Sequence, residues 1–95
     1  MLDQAKMIMQ LKKAQKELTK MESEGTAGDG AVSVVVTGEM KVKKVTIDPE
    51  YVDLDDIAVL ERWIEQATRE AMSKAQEMAA EKMKPLMGGL GNLGL

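Results

Sequence analysis

The apolar positions divide the chain into three regions. Over residues 2–24, Met7, Leu11, Ala14, Leu18 and Met21 recur at spacings of 4, 3, 4 and 3, the rhythm of a helix that packs one face. No Gly or Pro interrupts them, and Ile8 widens the stripe. A helix of about 34 Å is predicted. The three glycines of Gly25-Thr-Ala-Gly-Asp-Gly30 stop it. Ala31 to Thr37 is β-branched and strand-forming. Gly38-Glu39 predicts a two-residue type II′ turn, and Met40 to Ile47 the return strand. Val42 and Val45 are three apart, Val45 and Ile47 two apart. A β-bulge at Lys43-Lys44 keeps all three on one face and leaves Lys41, Lys43 and Lys44 in solvent. Asp48-Pro49 closes this strand. A further strand at about 26–28 is only weakly signalled.

Asp53 is read as the N-cap of a second helix, with Asp55 and Asp56 in its first turn. Ile57, Leu60, Ile64, Ala67, Ala71, Ala75 and Met78 then repeat at helical spacing. Residues 54–84 make about 46 Å of helix, ended by Pro85. Residues 85–95 hold four Gly and four Leu and no side-chain charge. They are expected to form a flexible tail, the alternative being an apolar strap on a partner. The prediction is an α+β protein with one α-β-α domain at 1–84: an N-terminal helix, a small antiparallel sheet and a long C-terminal helix.

Composition adds a problem. Of 95 residues, 10 are Ala and 9 Met, with no Phe, one Trp and one Tyr. Setting aside the four tail leucines, 17 of the 21 Val, Leu and Ile side chains remain for a core. Small chains bury a modest fraction of their surface, so a second copy is expected to supply what is missing. Trp63, one position from the Leu60/Ile64 stripe, reads as a packing anchor.

There is no Cys and no His, which excludes thiolate chemistry, cysteine metal sites and the usual neutral-pH base. The GxxxxGK[ST] phosphate loop is absent. No enzyme activity, metal, cofactor or small-molecule substrate is therefore expected. No apolar run reaches the ~18 residues of a membrane span, no signal-peptide core is present, and a cytoplasmic location is expected. The carboxylates Asp53, Asp55 and Asp56 are read as caps, not as a metal or acid–base site.

Net charge is −3, but its distribution is uneven. Residues 1–20 hold five lysines against Asp3 and Glu17; residues 49–62 hold five carboxylates against Arg62. Lys6, Lys13 and Lys20 are seven apart on the face away from the apolar seam, and Lys12 and Lys16 widen the row. A solvated surface is the bland explanation. The sharper one is a phosphate-tracking stripe. Without Arg or interleaved aromatics in this row, it fits duplex backbone with weak base preference. A Met-rich interaction module, using the seam and the apolar tail to hold a protein partner, is the competing reading.

The stretches Lys12-Lys-Ala-Gln-Lys-Glu-Leu-Thr-Lys-Met21 and Glu24-Gly-Thr-Ala-Gly-Asp-Gly-Ala-Val32 resemble the YbaB/EbfC family of bacterial nucleoid-associated proteins. So do Val45-Thr-Ile-Asp-Pro49, Val59-Leu-Glu61 and the Gly88–Leu95 ending. The resemblance covers nearly the whole chain. It departs at Arg69, where Asn is usual, and at Trp63, where a smaller aliphatic is usual. It implies a helix–strands–helix protomer with three antiparallel strands. It also implies a tweezer-shaped homodimer, paired through sheets and long helices, that binds DNA in the nucleoid and influences gene expression. The candidate dimer interface, read from the apolar stripes, takes in Leu11, Leu18, Met21, Val34, Val36, Ile64, Ala67 and Ala71. The implied DNA surface falls on Lys6, Lys12, Lys13, Lys16, Lys20, Lys41, Lys43 and Lys44.

Overall fold

The computed structural model describes the backbone of residues 2–91 and the side chains of residues 4–84. Helix α1 (Leu2–Lys20) leads into strands β1 (Glu22–Ala27), β2 (Val32–Thr37) and β3 (Val42–Ile47). A single 3₁₀ turn at Pro49–Tyr51 precedes helix α2 (Ile57–Gly91). The strands form one antiparallel sheet in the order β1-β2-β3. The molecule is long and thin, 63 × 22 × 15 Å.

The core lies where α2 crosses β1 and β2. Val32, Val34 and Val36 point from β2 onto Ala67, Ala71 and Ala75, and all six are buried. Alanines on the helix let its backbone come close, and β1 is built to match. Its inward residues are Ser23 and Gly25, both buried. The Ser23 hydroxyl donates to the Ala71 carbonyl across 2.7 Å. A Cβ at Gly25 would overlap the Ala67 carbonyl oxygen and lie 2.5 Å from the Ala71 nitrogen. Trp63 stacks on Gly28, whose φ of +66° also favours glycine.

Several boundaries differ from expectation. The first helix ends at Lys20, not at residue 24, and the weak strand expected at 26–28 runs from Glu22 to Ala27. The Gly38 N–H donates to the carbonyls of Leu18 and Met21, both at 3.0 Å, so the hairpin tip caps the end of α1. The following residues gain a full ladder by pairing with β2. Gly38 is a glycine for close approach, because a Cβ there would lie 2.6 Å from the Leu18 oxygen.

The hairpin is not type II′. The Thr37 carbonyl accepts from Met40 N–H at 2.9 Å, and the Thr37 N–H donates to the Lys41 carbonyl at 2.8 Å. The left-handed residue is Met40, with φ of +68°. This is a three-residue loop closed by a left-handed residue, so β3 begins at Val42 and not at Met40. The expected bulge is present: Val36 pairs with Val42 and Val35 with Lys44, leaving Lys43 as the extra residue.

Asp53 caps a turn and not α2 itself. Its carboxylate accepts from Asp55 N–H at 2.9 Å, and its carbonyl from Asp56 N–H at 3.0 Å. The helix starts afterwards, at Ile57 rather than at residue 54. It also continues past Pro85 to Gly91, where a flexible tail was expected from residue 85. Proline weakens a helix by removing an N–H and adding a steric clash, without forbidding it. Residues 92–95 of that expected tail lie outside the described residues.

Candidate nucleic-acid interface

Helix α1 is held to the body along one narrow line. Ala14 is buried, Leu18 and Met21 are half-buried, and Leu18 rests against Gly38. The Lys82 ammonium pairs with the Glu17 carboxylate and ties α1 to the distal half of α2. Met7, Ile8 and Leu11 are exposed.

At 3.6 residues per turn, Lys6, Lys12, Lys13, Lys16 and Lys20 fall on the side of α1 opposite Leu18. All five are exposed, and none forms an ion pair among the described side chains. Lys12, Lys13 and Lys16 border a shallow concavity with Met9. The structure therefore gathers these five lysines into one outward field.

The sheet lysines are placed differently. Lys43 is paired with Glu22 across the sheet. Lys44 sits opposite Val35, on the sheet face away from α2. Lys41 lies at the hairpin tip, the part of the sheet that abuts the last turn of α1. Lys41 thus lies beside the C-terminal end of the α1 field, whereas Lys43 is already partnered.

Glu17 is the acidic interruption in the lysine row. Its hydrogen bond from Lys82 holds the carboxyl below its ordinary value; partial desolvation opposes this, and the charges of Lys82 and Lys13 add to it. A lowered pKa means that the clasp is intact above the ordinary carboxylate range and is lost as pH falls through the lowered value. Thermal unfolding followed across the acid range should therefore show a small component that Glu17→Gln removes. The component is small because the pair is solvent-exposed.

The interface residues expected between protomers divide into two groups. Val34, Val36, Ala67 and Ala71 are 0% exposed within one chain and have no surface left to give a second copy. Leu18, Met21 and Ile64 are half-buried and Leu11 is exposed. The apolar surface that remains lies elsewhere, on β3. Ile47, Val45 and Val42 pair with Val32, Val34 and Val36, so they share the sheet face that carries the core. Helix α2 covers that face over β1 and β2, leaving Val42, Val45 and Ile47 between 39% and 50% exposed. The bulge spacing pointed to their common face; only the position of α2 shows that it is uncovered.

Among the described residues no acidic cluster could hold a metal ion, and no helix is long and apolar enough to cross a membrane. The profile of the YbaB/EbfC DNA-binding family matches residues 1–90. The chain belongs to the YbaB/EbfC family. A nucleoid-associated protein of Chloroflexus aurantiacus is 45% identical over 87 residues, covering 92% of this chain and 87% of that protein. One from Dictyoglomus turgidum is 46% identical over 90 residues, covering 87% and 86%. Among solved structures, an uncharacterized protein from Helicobacter pylori superposes with a TM-score of 0.67 at 19% identity, over 84% of this chain and 90% of that one. The YbaB/EbfC family is thus shown by sequence, and the helix–sheet–helix fold by structure as well. It is a DNA-binding family, and these relatives are named nucleoid-associated proteins.

Proposed function

We propose that this chain is a homodimeric nucleoid protein of the cytoplasm that binds duplex DNA through the outward lysine face of α1. Binding is through phosphates with weak sequence preference, and it serves nucleoid organisation or gene expression. The observation that carries this reading is the field of five exposed lysines on one side of α1, in a chain of a DNA-binding family. Each ammonium that meets a phosphate displaces condensed counterions, so the logarithm of affinity falls by about 0.9 per phosphate for each unit of log salt. Titration of a mixed-sequence duplex at several salt concentrations tests it. Tight binding at low salt with a steep linear slope is expected; no binding at low salt, or binding without a slope, sinks the reading.

Dimerisation is the second part of the proposal. The uncovered valine strip of β3 supports it, as an apolar continuation of the core face at a sheet edge. Light scattering should give about twice the 10.4 kDa of one chain. Val45→Asp, placed in the strip but outside the private core, should return the mass to one chain while the circular dichroism spectrum is kept.

The exposed Met7, Ile8 and Leu11 give the protein-interaction reading one point of support. A partner recovered from nuclease-treated lysate with the full chain, and absent when these three residues are replaced, would favour it.

A further inference from the structure

The lysine field has an apolar centre. Met9 is 70% exposed and lies on α1 almost diametrically opposite Leu18, so it can take no part in the seam with α2. At about 100° per residue, Lys12 and Lys16 fall to one side of it, and Lys6, Lys13 and Lys20 to the other. Every one of them is within about 60° of its direction. Met9, Lys12, Lys13 and Lys16 border one shallow concavity. An unbranched thioether thus stands in the middle of a band of cations, where a surface evolved for hydration alone gains nothing from it.

We infer that Met9 is the base-contacting residue of this surface, and that it meets the C5-methyl group of thymine in the major groove. This rests on the duplex-DNA reading above. Lysines fix position on phosphates but carry no sequence information. An α-helix of about 10–12 Å fits the ~12 Å major groove and not the ~6 Å minor groove. With α1 laid in that groove, the two flanks of lysines face the two phosphate walls and Met9 faces the base edges between them. The apolar group displayed there is the thymine methyl, which distinguishes A·T from G·C pairs by contact with an apolar side chain. Methionine suits this task because its flexible, polarisable chain adapts to a methyl group at variable depth.

The experiment compares two duplexes of the same sequence, one with thymine and one with deoxyuridine throughout, which differ only by the C5-methyl groups. The full-length chain should bind the uracil duplex more weakly, by about fourfold for each thymine methyl that Met9 covers, with the same salt slope. Met9→Ala should bind both duplexes alike, with that slope unchanged. Met9→Leu should restore discrimination. Equal binding of the two duplexes by the unmodified chain, with a normal slope, overturns the base contact and leaves the DNA reading standing. A ratio unchanged in Met9→Ala also overturns it, because the methyl effect then arises within the DNA. Failure to bind either duplex at low salt overturns the underlying DNA reading instead.

Discussion

Reversing Lys12, Lys13 and Lys16 to Glu should lower affinity for duplex DNA on the order of 10³-fold at low salt and flatten its salt dependence. In a dimer the change removes six of ten cations on the two α1 faces and adds six anions in their place. Each phosphate that no longer meets an ammonium takes about 0.9 from the slope of log affinity against log salt. The shallower slope is the decisive readout, since a simple loss of fold would abolish binding without leaving a slope to measure. Fold should survive: all three side chains are exposed and unpaired among the described residues, and Glu sustains a helix about as well as Lys. Reversal of Lys43 makes the useful contrast. That ammonium is engaged by Glu22, so Lys43→Glu should cost DNA affinity much less while placing like charges across β1 and β3.

Gly25→Ala should unfold the protein at temperatures where the parent is folded. The new methyl would overlap the Ala67 carbonyl and crowd the Ala71 nitrogen, and its third near neighbour is the Glu70 Cβ at 3.0 Å. Two of these are helix backbone, which cannot turn aside as a side chain can. Relief requires α2 to lift from β1, and that breaks the Ser23–Ala71 hydrogen bond and opens the Val32, Val34 and Val36 layer. Overpacking of this severity costs about 3 kcal/mol or more, which for a domain of this size lowers the melting temperature by about 12–24 °C. Gly30→Ala is the control. Nothing lies within 4 Å of a Cβ there, although φ is +93°, so only backbone strain of about 1 kcal/mol is added. Calorimetry at fixed protomer concentration separates the two.

Much of this architecture is legible in the chain. The 4, 3, 4, 3 apolar spacing marks the first helix and a similar rhythm the second, and the offset of Val42 from Val45 and Ile47 marks the bulge. Strand β1 escapes because its inward positions are Ser23 and Gly25, small residues demanded by the nearness of α2. A search for alternating apolar residues finds no signal in Glu22-Ser-Glu-Gly-Thr-Ala27. The α1 lysines are equally legible, since helical spacing alone puts them on one side. The uncovered apolar strip of β3 is not. Val34 and Val36 read as apolar in the same way as Val42 and Val45, and spacing cannot tell which pair the chain's own helix covers. Lys43 likewise reads as a free cation until the register brings Glu22 within reach.

Between the end of α1 and the start of β1 stands a single residue, Met21. The helix beyond it is therefore a lever on a one-residue pivot, stayed by the Gly38 cap and the Glu17–Lys82 clasp. Lys6 lies 14 residues from Lys20, about 21 Å along the lever. A swing of about 10° at the pivot carries its tip by roughly 4 Å, slightly more than the ~3.4 Å axial step between phosphates on one strand. Small rotations at Met21 are thus enough to move the lysine-bearing tip by about one phosphate step while the sheet and α2 stay fixed.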